Sequence, residues 1–157
     1  MSKKVYMTRD RLKEIEEELH HLKSKGRAEI AHKIAEARSH GDLSENADYD
    51  AAKDEQGLLE LKISKLSNML ANSVVISAED FPDDKVYILS KVKLKNPKNG
   101  MEVEYTLVSP EEADFEQNKL SVDSPIGKAL MGKKKGEIAK VKIPAGETEF
   151  EIVDINK

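Results

Sequence analysis

Four carboxylates stand together between residues 42 and 50: Asp42, Glu45, Asp48 and Asp50, with no basic residue among them. Asp42 and Glu45 are close enough in sequence to point the same way from a tight turn. Two chemistries suit such a group. Acids near the start of a helix are stabilised by the positive end of its dipole, with Ser44 as a candidate N-cap and Glu45 in the first turn. Alternatively, their oxygens suit a hard divalent cation such as Mg²⁺. Two carboxylates alone make a weak Mg²⁺ site, because that ion keeps waters and takes ligands from phosphates. Such a site becomes complete where another macromolecule supplies the rest.

The opposite charge lies just upstream. Between residues 20 and 40, Lys23, Lys25, Arg27, Lys33 and Arg38 outnumber Glu29 and Glu36, a local balance of +3 in a chain whose net charge is −4. This window suits either a solvated helix face or contact with a phosphate backbone. All four histidines (20, 21, 32 and 40) fall in the same window, but no paired spacing suggests zinc. Other chemistry is missing. The chain has no cysteine, which removes disulfides, thiol nucleophiles and thiolate metal sites. The lysines at 133–135, between Gly132 and Gly136, do not make a phosphate-binding loop, and no nucleophile–base pair is evident. A self-contained enzyme is therefore not expected. The N-terminus lacks a signal-peptide h-region and no apolar run is long enough for a membrane span, so we expect a cytoplasmic protein.

The elements that must position these groups change character near residue 73. Before it there is no proline; after it come all five, at 82, 97, 110, 125 and 144. Leu12, Ile15, Leu19 and Leu22, continued by Ile30, Ile34 and Ala37, form one apolar stripe, with Thr8 as a candidate N-cap and Gly26 as a weak point. Leu59, Ile63, Leu66 and Leu70 form a second. These narrow, heptad-like seams predict an antiparallel two-helix coiled coil over residues 1–75, roughly 45 Å long at 1.5 Å per residue, with the acids at its tip. The remainder alternates with period 2. Val86 to Leu94 and Met101 to Leu107 flank a turn at residues 96–100. Ile138 to Ile143 and Phe150 to Ile155 form a second pair, and a short helix spans Ile126 to Met131. The fold class is α+β, with a small antiparallel-sheet domain over 80–157.

The segment from Ala35 to Lys53, A-E-A-R-S-H-G-D-L-S-E-N-A-D-Y-D-A-A-K, closely resembles the tip signature of the bacterial Gre transcript-cleavage factors. Val122 to Lys134 resembles the family's C-terminal segment, and Glu112-Ala113-Asp114 also fits. The resemblance covers nearly the whole chain in one register.

That resemblance implies an FKBP-like C-terminal domain that docks at the rim of the RNA polymerase secondary channel, and a coiled coil whose tip reaches the polymerase active centre. The factor then stimulates the polymerase's own hydrolysis of backtracked nascent RNA. The family's functional acids fall on Asp42 and Glu45, sharing Mg²⁺ with the polymerase; no cofactor is expected to bind stably to the chain alone. We assign Asp42 to the metal and Glu45 to the attacking water, roles that are exchangeable. Lys23, Lys25, Arg27 and Arg38 would steer extruded RNA, and Tyr49 would stack on a base or pack at the top of the coil. Asp123, Ser124 and Pro125 are the expected polymerase contacts, and the chain is expected to act as a monomer. Competing readings are a coiled-coil adaptor or channel-binding regulator without an active tip, and a peptidyl-prolyl isomerase or chaperone.

Overall fold

The computed structural model describes residues 4–41, 46–82, 84–144 and 146–156. It divides into two units: residues 10–72, and the N-terminal residues through Arg9 together with 73–157. The sheet unit therefore recruits the start of the chain, which sequence patterning had grouped with the coiled coil. The recruited element is β1 (Val5–Met7), which pairs in parallel with β2 (Ser73–Val75). Val5 and Met7 are buried, and the Tyr6 N–H donates to Ser109 Oγ at 3.0 Å.

The helical unit consists of α1 (Arg9–His21), a π-helical turn (Leu22–Gly26), α2 (Arg27–Arg38) and α3 (Ala47–Ala71). Thr8 directly precedes α1. On α3, Tyr49, Ala52, Gln56, Leu59, Ile63, Leu66 and Leu70 form a seam in an unbroken alternation of steps of three and four, and Met69 is buried beside it. The facing arm uses Leu12, Ile15, Leu19, Leu22, Gly26, Ile30, Ile34 and Ala37. Its three consecutive steps of four carry one residue too many for a heptad seam. In a regular α-helix an extra residue rotates every later side chain by about 100°. The π-turn, whose bonds run from i to i+5, absorbs that residue and returns Ile30, Ile34 and Ala37 to the seam. Ser24 Oγ donates to the His20 carbonyl at 2.7 Å inside this turn. Gly26 lies against Leu59, whose Cδ1 would stand 3.4 Å from an added Cβ. The expected weak point at Gly26 is thus the end of a π-turn.

A deletion series checks this account. Removing Ser24 should convert the π-turn to continuous α-helix and leave the melting temperature close to that of the parent. Removing Ser64, in the unbroken seam of α3, should displace apolar residues at roughly 1.5–3 kcal/mol each. Equal destabilisation of the two deletants by far-UV circular dichroism would contradict the skip-residue explanation.

Ion pairs cross between the arms. Arg27 forks onto Glu60, with Nε to Oε2 at 3.1 Å and NH2 to Oε1 at 2.8 Å. Lys33 meets Glu55 at 3.1 Å and Lys62 meets Glu18 at 3.1 Å. The Arg27 hydrogen bond holds the Glu60 carboxyl below its ordinary range, the attraction between the two charges adding to it. A lowered acid stabilises the folded state above its unfolded value of 4.5, and that contribution is lost as pH falls through the folded value. Helix stability should accordingly decline below about pH 4.5, and less steeply in Glu60→Gln. Urea melts at stepped pH measure both slopes.

The second unit carries a five-stranded sheet in the order β5-β4-β3-β7-β6. Its strands are β3 (Lys91–Lys95), β4 (Glu102–Val108), β5 (Lys119–Ser121), β6 (Ile138–Ile143) and β7 (Gly146–Asn156), with α4 (Pro125–Leu130) between β5 and β6. The inward set Val92, Leu94, Leu107, Ala139, Ile152 and Ile155 joins Val86 and Leu130 in one core. The other face alternates charge by strand. Register places Lys93 opposite Glu104, Lys95 opposite both Glu102 and Glu151, Lys140 opposite Glu149, and Lys142 opposite Glu147. Opposite-charge cross-strand pairs contribute roughly 0.2–1 kcal/mol each, and like charges directly opposite destabilise, so the charge pattern favours this strand order.

Three local features differ from the sequence expectation. Val86 to Ser90 do not extend β3. Leu89 takes φ +71° and donates its N–H to the Leu107 carbonyl, while Val86 exchanges backbone bonds with Gly132 and Lys133. The β4–β5 pair is parallel, because Ser109 to Asn118 form a link with two 3₁₀ turns in place of a tight hairpin. Finally, β7 starts at Gly146, earlier than Phe150.

Candidate functional site at the turn of the helical hairpin

The link between α2 and α3 is held at both ends by one side chain. Asn46 is the N-cap of α3: its Oδ1 accepts the Tyr49 N–H at 3.1 Å. Its Nδ2 donates to the Ala37 carbonyl, in the last turn of α2, at 2.6 Å. One amide therefore satisfies an orphan donor of one helix and an orphan acceptor of the other. The cap expected at Ser44 is thus found at Asn46, two residues later. Gly41, just beyond α2, takes φ +126°, a conformation that favours glycine.

Asp42 and Glu45, with Leu43 and Ser44, lie outside the described residues. Of the other acids, Asp48 and Asp50 occupy the first turn of α3, where the helix dipole favours them. Asp48 Oδ2 is 3.8 Å from His40 Nδ1 across the link. A groove of about 350 Å³ below it is lined by Ala37, Ala51 and Ala52 and rimmed by Lys33, Glu36, His40, Asp48 and Glu55. The rim side chains contact one another or neighbours: Lys33 pairs with Glu55, His40 lies against Asp48, and Glu36 is 4.0 Å from His32. Among the described residues, no group of three or more His, Asp or Glu side chains is placed to hold a metal ion.

The proposed RNA contacts separate into three environments. Arg38 and Tyr49 come together, the guanidinium 5.8 Å from the ring centroid, within cation–π range. Tyr49 is half-buried at a seam position, which favours packing at the top of the coil with one flank left open. Lys23 and Lys25 are exposed on the π-turn, about 20 Å down the arm from Arg38 at 1.5 Å per residue. Arg27 is engaged by Glu60, so its charge is already matched within the hairpin.

In the other unit, Asp123 and Pro125 are exposed, whereas Ser124 is the N-cap of α4. The Ser124 hydroxyl donates to the Ser121 carbonyl at 2.6 Å and accepts the Gly127 N–H at 3.0 Å. A Cβ at Gly127 would fall on the Ser121 carbonyl oxygen and 2.9 Å from Ser124 Oγ. Gly127→Ala should therefore force backbone movement and cost roughly 1–3 kcal/mol, visible as a lower denaturation midpoint. Unchanged stability would mean that α4 can shift without cost.

Asn46 is the positioning residue that sequence reasoning missed. Its signal was present: a strong N-cap residue followed at once by the first-turn acids Asp48 and Asp50. Only the fold reveals that the same amide also reaches Ala37.

The helical unit and the sheet unit each match a domain of the transcription elongation factors. Residues 5–75 match the family described as transcription elongation factor, N-terminal, and residues 81–157 match the family described as transcription elongation factor, GreA/GreB, C-term. The chain belongs to this GreA/GreB family. Its relatives include transcription elongation factor GreA of Flavobacterium johnsoniae, 52% identical across 100% of this chain and 99% of that protein. GreA of Amoebophilus asiaticus is 52% identical over 99% of each. Among solved structures, Gfh1 of Thermus thermophilus is 26% identical, covering 99% of this chain and 100% of that one, with a TM-score of 0.46. A GreA/GreB factor from Nitrosomonas europaea is 26% identical over 67% of this chain and 93% of its own, with a TM-score of 0.44. No helix among the described residues is long and apolar enough to cross a membrane.

Proposed function

We propose that this chain binds bacterial RNA polymerase at the secondary channel and stimulates the polymerase's own cleavage of backtracked nascent RNA, so that arrested elongation resumes. The observation that carries the reading is the family match over residues 5–75, the stretch whose sequence contains Asp42 and Glu45. They lie in the link that Asn46 ties to both arms of the hairpin, in a chain of this family. Two carboxylates suit a Mg²⁺ ion that takes its remaining ligands from water, phosphate and the polymerase. Such an ion would supply charge stabilisation at the scissile phosphate. Asp42 holds the shared metal and Glu45 orients or deprotonates the attacking water, and the two roles are exchangeable. Lys23 and Lys25 attract extruded RNA, and Arg38 with Tyr49 contacts it nearest the tip. Asp123 and Pro125 contact the channel rim, with Ser124 holding their backbone. The chain acts as a monomer and cuts nothing by itself.

A cleavage assay on a stalled, backtracked bacterial elongation complex tests this directly. Adding the protein should release short 3′ RNA fragments and restore extension, whereas protein, RNA and Mg²⁺ without polymerase should yield no product. Binding without any gain in cleavage would instead support the adaptor reading.

A further inference from the structure

Phe115 has the largest fractional exposure, 80%, of the large apolar side chains among the described residues. The loop that carries it is tightly built. Asp114 and Lys119 exchange backbone hydrogen bonds in both directions, at 3.0 and 2.9 Å. Asp114 Oδ1 accepts the Glu116 N–H at 3.0 Å, and the Asn118 N–H donates to the Phe115 carbonyl at 3.1 Å. Asn118 takes the left-handed conformation that asparagine tolerates, at φ +56°. Behind the loop, the buried Glu112 carboxylate lies 3.9 Å from Lys119 Nζ. The fold thus spends many hydrogen bonds on a loop whose largest side chain is left in water. A ring on a preorganised support loses little freedom on docking, which is the usual property of an interface anchor.

The surrounding charge selects the kind of partner. Residues 111–119 contain Glu111, Glu112, Asp114 and Glu116 against a single Lys119. That field repels phosphate, which argues against stacking of Phe115 on a nucleic-acid base. A protein socket with an apolar floor and a basic rim fits both the ring and the acids. β5 leads from this loop directly into the segment holding the exposed Asp123 and Pro125. We propose that Phe115 is an anchor by which the sheet unit docks on RNA polymerase, extending the Asp123–Pro125 contact along β5. This inference rests on the polymerase-binding reading above.

The test uses the full chain, with Phe115→Ala, Phe115→Leu and, as a control, Met101→Ala. Met101 is 70% exposed in the β3–β4 turn. Binding to core polymerase and the factor concentration giving half-maximal cleavage are measured, with thermal melts to check the fold. Phe115→Ala should raise both the dissociation constant and the half-maximal concentration at least about tenfold, with an unchanged maximal cleavage rate. Phe115→Leu should recover part of the loss, and Met101→Ala should match the parent. Wild-type affinity in Phe115→Ala overturns the proposal, as does equal weakening by Met101→Ala. Weaker RNA crosslinking at unchanged polymerase affinity also overturns it and marks a nucleic-acid contact instead. A parent chain that does not bind polymerase removes the polymerase reading and this proposal together. A parent that binds no better than Phe115→Ala removes only the latter.

Discussion

Glu45→Gln and Asp42→Asn are each expected to abolish most stimulated RNA cleavage while leaving polymerase binding intact. Both changes nearly preserve side-chain size and remove one charge. Neither residue belongs to the apolar seam formed by Ile15, Leu19, Ile63 and Leu66. Losing a favourable charge near a helix terminus costs about 0.3–1 kcal/mol at exposed sites, small beside the roughly 5–15 kcal/mol that stabilises an ordinary domain. The chemistry responds far more. An amide is a poorer Mg²⁺ ligand than a carboxylate and cannot take a proton at neutral pH. Loss of general-base assistance alone lowers rates by about 10²–10⁴-fold. Elevated Mg²⁺ should partly rescue whichever variant lost the metal ligand, which separates the two exchangeable roles. Single-turnover cleavage at saturating factor measures these effects. Parental rates in a folded, polymerase-bound double variant would remove the tip chemistry.

Asn46→Asp is expected to separate helix capping from positioning of the tip. The carboxylate can still accept the Tyr49 N–H, so α3 keeps its cap. It cannot donate to the Ala37 carbonyl, 2.6 Å away, and instead sets oxygen against oxygen. The link carrying Asp42 and Glu45 then loses its tie to α2. A misplacement of about 1 Å in a catalytic group can cost 10²-fold, so cleavage at saturating factor should fall by up to about that factor. Polymerase affinity should hold, because the proposed docking contacts lie in the other unit. Asn46→Ala loses both bonds and should additionally destabilise the helical unit by about 0.5–2 kcal/mol. If Asn46→Asp cleaves at the parental rate, the bridge to Ala37 contributes to stability alone.

Much of the architecture is legible in the order of residues. The steps Leu12, Ile15, Leu19, Leu22 and Leu59, Ile63, Leu66, Leu70 announce two facing helices, because an apolar stripe at that spacing must be covered. The turn at residues 96–100, flanked by the alternation of Val86 to Leu94 and Met101 to Leu107, announces a hairpin, although only the part from Lys91 onward pairs as a strand. The family is legible as well, because the tip word around Asp42 and Glu45 is long and specific. These features are local: each is set by periodicity or by a short run of neighbours.

What the sequence did not disclose depends on partners distant in the chain. Pairing of β1 with β2 joins residues almost seventy positions apart and moves residues 4–9 into the sheet unit. Arg27 reads as a free cation until the hairpin closes and brings Glu60 onto it. Asn46 reads as a cap for one helix until the closed link brings the Ala37 carbonyl to its other end. The extra residue between Leu22 and Ile30 reads as an imperfection until packing against Leu59 turns it into a π-turn. Periodicity determines which face of an element is buried. Only the closed tertiary structure decides which polar groups that burial brings within hydrogen-bonding distance, and therefore which charges remain available to a partner.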